Sequence, residues 1–373
     1  MSGSFKRRLL QLHTWTGLTI GLGVVFLAIT GAGFVLRPQL DEVVNRELLV
    51  VPRCKERLPL DELAADARAI HPQGRLYSIE VNADAGSSTA IQFTDKDFVY
   101  VNPCTGRILG TRNEYGGFFG TVEWLHRFRF MEPRSGRQVA GFAAAFFIVL
   151  LIGGGLVLWW PHSWRAARRA FRLDPRLPSS ARTLGLHRII GLYASAVLLL
   201  IALTGIPIAF VPVKEMIYRH SGYTQPVAPK SILTNGAVRL SMESFWQKTR
   251  VAVPRLEWVS LRYPNRPDSA VEVEIREQHA PHADAKSYLY MDAYTGNTLE
   301  LRHYSATALG RKIYLYCIAL HAGLVGGLPY ELLVFAAALA VPVQAYSGFS
   351  PYLRRQFRAV VKRRATPQPL NSD

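Results

Sequence analysis

The chain has 373 residues, a formal net charge of +17 and 49% hydrophobic residues, enough for two or three domains by length. So basic a balance would suit a nucleic-acid binder, but the placement of the charges excludes that reading. They gather beside four long apolar runs that carry no Asp, Glu, Lys or Arg at all.

In chain order the runs are 15–36, 138–160, 189–213 and 332–353. Each is long enough for a bilayer core, which takes about 20 residues. The fold class read from this is membrane α+β with four transmembrane helices. The N-terminus holds Lys6, Arg7 and Arg8. The connection between the second and third runs holds Arg165, Arg168, Arg169, Arg172, Arg176 and Arg182, with Arg188 beside it. The tail holds Arg354, Arg355, Arg358, Lys362, Arg363 and Arg364. These are 16 basic groups against Asp174 and Asp373, whereas segment 37–137 balances 14 basic with 14 acidic groups. Excess Lys and Arg at span ends marks the cytoplasmic side, so both termini and the connection are expected there.

The expected layout follows. Residues 1–36 are a cytoplasmic start and first helix, 37–137 the first exported domain, and 138–160 the second helix. Residues 161–188 are a basic cytoplasmic loop and 189–213 the third helix. Residues 214–330 are the second exported domain, 331–353 the fourth helix and 354–373 a basic tail. The start looks like a secretory signal, but its apolar run is too long and no small-residue cleavage pattern follows. A retained anchor is expected.

Helical spacing over 59–71 ends at Pro72, and strand-like runs follow at 75–82, 89–93, 98–102 and 107–110. The second exported segment repeats that order, with a helix at 241–253 and strands at 256–263, 270–276 and 287–291. Cys54 and Cys104 share the first exported segment, where a disulfide is permitted; two separate thiols are equally compatible with the sequence. Cys317 is unpaired by count. No CxxC or CxxCH occurs, which argues against thiol–disulfide chemistry and covalently attached haem.

Internal repetition then picks out histidines. Leu12-His13 with Gly17-Leu18 and Thr30-Gly31 returns as Leu186-His187 with Gly191-Leu192 and Thr204-Gly205, and each His precedes its Thr by 17 residues. Trp124-Leu125-His126 returns as Ala319-Leu320-His321, and the turn from Tyr100 to Gly106 as Tyr290 to Gly296. The offset drifts from 174 at His13/His187 to 195 at His126/His321. The halves start on the same side, as parallel repeats about an axis along the membrane normal.

Two opposed imidazoles at each membrane face suit haem iron, whose macrocycle supplies the other four ligands. Zinc would want four protein ligands, and no acidic residue recurs beside these histidines. The ligand set is therefore His13 with His187 and His126 with His321. Gly17, Gly21, Gly191, Gly31 and Gly205 would let a flat ring approach, and Arg127 and Arg188 could pair with haem propionates. His162, without a counterpart in the other half, is read as structural and as the first substitute should a cytoplasmic ligand be misassigned. His71, His220, His279, His282 and His303 are read as solvated, with His279 and His282 available to a substrate.

These phrases together resemble the PepSY-associated transmembrane family, over roughly residues 5–355. Within it the chain is most similar to the ferric-siderophore reductases of the bacterial inner membrane. That resemblance implies PepSY-like periplasmic domains, two haem b groups and a periplasmic site for a ferric siderophore or other ferric chelate. Membrane lipid surrounds such a protein, and a quinol or cytoplasmic reductant supplies the electrons. It implies no nucleophile or general base, and no nucleic-acid partner. Two other classes stand beside it: a non-catalytic PepSY regulator of a periplasmic partner, which would be colourless, and a haem or metal transporter. Spans free of charged groups speak against ion-coupled transport.

Overall fold

The computed structural model describes residues 3–365 except His162, Asp174, Pro175, Leu177, Thr234 and Asn235. His162 and its reserve role thus lie outside the described residues. The chain divides into two compact units. A span unit holds Met1–Gly33, His126–Phe210 and Pro329–Asp373, and a sheet unit holds Phe34–Leu125 and Val211–Leu328.

The chain opens with α1 (Gly3–Leu18) and α2 (Ile20–Val35), which meet at 52° across Thr19. The Thr19 hydroxyl donates to the Trp15 carbonyl at 2.9 Å, and Gly17, Gly21 and Gly23 weaken the helix on either side, so the bend has a local cause. Short helices α3 (Arg37–Val44) and α4 (Arg46–Leu49) precede α5 (Leu60–Ile70). Strands β1 (Leu76–Asn82), β2 (Thr89–Phe93), β3 (Asp97–Val101) and β4 (Ile108–Asn113) follow, then α6 (Gly117–His126).

The next span begins with α7 (Pro133–Phe146), where the Glu132 carboxylate caps the first turn by accepting from the Arg134 and Ser135 amides. It runs through a π-helical stretch at Phe147–Gly153 and ends as α8 (Gly154–Trp159). After α9 (Trp164–Ala170) comes the third span, α10 (Ser179–Ala209), and then α11 (Val211–His220). Helix α12 (Met242–Ala252) leads into β5 (Leu256–Arg262), β6 (Val271–Glu277), β7 (Lys286–Met291) and β8 (Thr298–Arg302). The chain closes with α13 (Leu309–His321) and α14 (Leu328–Ala365). Three helical stretches are long and apolar enough to cross a membrane, and the α1–α2 pair makes a fourth if it is one bent span.

The second and third helices begin before the expected 138 and 189, at Pro133 and Ser179, and two further departures have a local cause. The third helix stops at Ala209 rather than 213, with Phe210 extended at φ −107° and ψ 106°; Pro207 and Pro212 each remove a backbone donor there. The fourth begins at Leu328, which brings Glu331 into its first turn. The break before it is made by Gly323, Gly326 and Gly327, all with positive φ. Val24, Ile152, Leu198, Ala337 and Val341, drawn from all four stretches, pack together inside the span unit.

The two long segments expected as separate α+β domains build one antiparallel sheet, in the order β4-β3-β2-β1-β5-β6-β7-β8. They join through β1 and β5, whose five paired positions centre on Glu80 opposite Ser260. The pairing covers two strands that would otherwise present bare edges. Ile79, Val81, Val259 and Leu261 alternate onto one face and pack with Leu63 of α5 and Phe245 of α12. The helices also cap each other: Asp61 accepts from the Met242 and Glu243 amides at 3.0 and 2.9 Å, and Glu243 accepts from the Leu60 amide at 2.9 Å.

The opposite face of the sheet is polar. Arg262 pairs with Glu272 at 2.6 Å and with Glu274, which also takes Lys286 at 2.8 Å. Burial pushes the Glu80 carboxyl up to about 7, with the Lys286 charge opposing. Cys54 and Cys104 form a disulfide across a Cα separation of 6.0 Å, which resolves the alternative that the sequence leaves open.

Candidate functional site

His13 lies in the last turns of α1, and His187 in the first half of α10. Their ring centroids are 6.2 Å apart and the ring planes stand at 85°. Each ring is fixed through Nδ1 to a main-chain carbonyl. His13 Nδ1 donates to Leu150 O at 3.0 Å, and His187 Nδ1 to Gln344 O at 3.0 Å, with Ser347 Oγ at 3.4 Å. A carbonyl can only accept, so Nδ1 carries the proton and the lone pair is left on Nε2. That is the tautomer of a ligating histidine oriented by a second partner. Leu150 sits in the π-helical stretch, a local geometry often found at functional positions.

A glycine stands behind each ring. A Cβ on Gly155 would lie 3.3 Å from His13 Cε1, and one on Gly348 would lie 3.1 Å from His187 Cε1. His126, the last residue of α6, is held in the same manner at the other end of the first span. Its Nδ1 meets Leu27 O at 3.1 Å and Thr30 Oγ at 3.1 Å, and a Cβ on Gly31 would come within 3.2 Å of its Cε1. The recurring Thr-Gly phrase is thus, in its first copy, the cradle of a histidine. His321 ends α13, half-buried, in the sheet unit. Arg127 and Arg188 directly follow His126 and His187, and both side chains are exposed.

The 6.2 Å between the His13 and His187 ring centroids agrees with two imidazoles sharing one metal ion: bonds of about 2 Å, with each ring centre about 1 Å beyond its nitrogen, would set the centroids about 6 Å apart. Among the described residues, no third Cys, His or carboxylate joins this pair.

Of the glycines singled out by sequence, Gly31 backs a histidine ring. Gly17 and Gly21 lie against Phe349, and Gly191 lies against the Gln344 side chain. Gly155, Gly348, Leu150 and Gln344 escape the sequence reading. Gly155 and Gly348 are 193 residues apart and Leu150 and Gln344 194, close to the 195 of His126 and His321, so extending the repeat search into the spans would reach them.

The remaining histidines need one correction. His282 is 4% exposed rather than solvated, because the loop between β6 and β7 folds its ring onto Tyr304 and Tyr316. Its Nε2 lies 3.0 Å from Tyr304 Oη, and burial holds its imidazole below the ordinary range. His71 contacts Asp95 at 2.8 Å and His303 contacts Glu277 at 3.3 Å. His220 bonds the Met216 carbonyl in its own helix.

The sequence model of one family, described as the PepSY-associated TM region, matches residues 10–355. No curated protein matches the chain.

Proposed function

The chain belongs to the PepSY-associated transmembrane family, and on that premise we propose an inner-membrane di-haem b reductase. In this reading it carries electrons across the membrane to a ferric chelate, such as a ferric siderophore, on the periplasmic side. The four spans form two parallel repeats, with both termini in the cytoplasm and the sheet unit in the periplasm. The observation that carries the reading is the pair His13 and His187, with centroids 6.2 Å apart and both Nδ1 protons committed to carbonyls.

Bound haem supplies reversible one-electron transfer; the protein supplies ligation, spacing and surroundings. Nε2 of His13 and of His187 would hold one iron. The Leu150 and Gln344 carbonyls keep the Nδ1 protons in place and raise the basicity of the opposite nitrogens. Val24, Ile152, Leu198 and Val341 keep water from the interior between the spans. His126 and His321 are assigned to the second haem by the repeated sequence phrase, and His126 already has the carbonyl anchor. Arg127 and Arg188, each beside a ligand, would take propionates. Ferric iron is a hard ion gripped by oxygen chelators, and an added electron weakens that grip, which releases Fe(II). A quinol or a cytoplasmic reductant is the electron source.

The test is the absorption spectrum of detergent-purified protein, oxidised and dithionite-reduced, with a pyridine haemochrome count. Two low-spin b-type haems per chain are expected, and the reduced protein should yield Fe(II) to a chromogenic trap when a ferric chelate is added. A protein that stays colourless after haem supplementation overturns the reading.

A further inference from the structure

The sheet unit carries an open groove of about 890 Å³, bounded by the stretch before α5, the end of β1 and helix α12. Lys55, Arg57 and Arg250 line it, and among the described residues none of the three has a carboxylate within ion-pair distance. The Arg57 guanidinium is half-buried and donates through Nη2 to the Asn82 and Asp84 carbonyls, both at 2.9 Å. Burial lowers its basicity, the Asp84 charge opposes that, and the Arg250 charge adds to it. Two guanidinium groups are therefore close enough to repel.

Glu56 and Glu243, the two carboxylates of the lining, offset these three cations in part and leave an excess of one positive charge. Both Glu243 oxygens are used, one on the Leu60 amide and the other on the Gln247 side chain. Glu56 is exposed at the groove. Trp246, packed into the sheet core and 8% exposed, reaches the wall, with the Arg250 guanidinium 5.9 Å from its ring centroid. The wall bearing Lys55 and Arg57 is tied down at Cys54 by the disulfide to Cys104. The groove is thus braced on one side, carries a net positive charge, and has an aromatic ring in its wall.

We propose that this groove binds an anionic ligand with a flat conjugated body, an aryl carboxylate or catecholate, held by Arg57, Arg250 and Lys55 with its ring toward Trp246. Planar guanidinium groups suit paired anionic oxygens, and an aromatic wall favours a flat partner. Taken with the reductase reading, on which this clause rests, the groove selects anionic catecholate chelates of iron over neutral or cationic hydroxamates.

Calorimetry on the purified full chain tests this with three probes: 2,3-dihydroxybenzoate without iron, its ferric tris-complex, and a ferric trihydroxamate. Both aryl anions should bind, more weakly as salt is raised, and the trihydroxamate about tenfold more weakly or not at all. Arg250 is exposed on α12, so Arg250→Gln should fold normally and lose about tenfold in affinity, the worth of one charge-assisted hydrogen bond. Absence of heat with both aryl anions overturns the proposal, as does affinity unchanged in Arg250→Gln. A haem-free chain that binds the iron-free anion through Arg250 leaves the groove standing while the reductase reading falls. A haem-bearing chain that binds neither aryl anion does the reverse.

Discussion

The Nδ1 proton of His187 is held by the main-chain carbonyl of Gln344 across 3.0 Å. His13 makes the same bond to Leu150, so two rings from different helices point their free nitrogens under matching constraint. If these rings share one iron, His13→Ala and His187→Ala should each leave one haem per chain by pyridine haemochrome. His126→Ala should remove the other haem and spare the first. A chain that keeps both haems after loss of His187 would refute the pairing.

Gly348 tests the backing of the ring. An added methyl would sit 3.1 Å from His187 Cε1 and 3.2 Å from Nδ1, tighter than ordinary contact, so the imidazole must tilt. Overpacking of this kind costs about 1–3 kcal/mol. Gly348→Ala should release haem at lower temperature than the parent. Gly23→Ala, whose Cβ meets nothing within 4 Å, should behave like the parent in the same thermal release assay.

The disulfide spans a separation of 50 residues, for which chain-entropy arguments give about 4 kcal/mol as an upper value. Cys54→Ser should lower the unfolding temperature of the sheet unit by several degrees, and a reductant should do the same to the parent. Equal melting curves for parent and variant would show that the bond contributes no stability.

Glu80 predicts a pH dependence with a definite sign. Its carboxyl is raised from an ordinary 4.5 to about 7 by burial, so the fold favours the protonated form. That contribution is complete below about pH 4.5 and is lost as pH rises through about 7. Glu80→Gln should flatten the decline in melting temperature across this window. A variant that declines as steeply as the parent would assign the slope to other groups.

Much of this was legible in sequence. The recurring Leu-His and Thr-Gly phrases single out His13, His187 and His126, and the charge-free runs locate the spans. What stays hidden has physical reasons. Leu150 and Gln344 act through their carbonyls, a group every residue carries, so no side chain advertises them. The β1–β5 junction is equally silent, because an alternating strand such as Leu76–Asn82 reads alike at an edge and at a centre. The strand Thr298–Arg302 holds only two apolar residues, too short an alternation to stand out in sequence. His282 is buried by a loop whose path depends on Tyr304 and Tyr316, residues distant in sequence.

The exchanged caps carry a consequence for how the sheet unit comes into being. Asp61 closes the N-terminus of α12, and Glu243 that of α5, while β1 and β5 cover each other's edges. Neither half is self-sufficient: made alone, each would expose a bare strand and a helix end without its partner carboxylate at the same place. A second copy of that half offers the complement to both. Splitting the sheet unit between β4 and β5 should therefore yield homodimers rather than monomers, the form in which a single-copy ancestor would have stood.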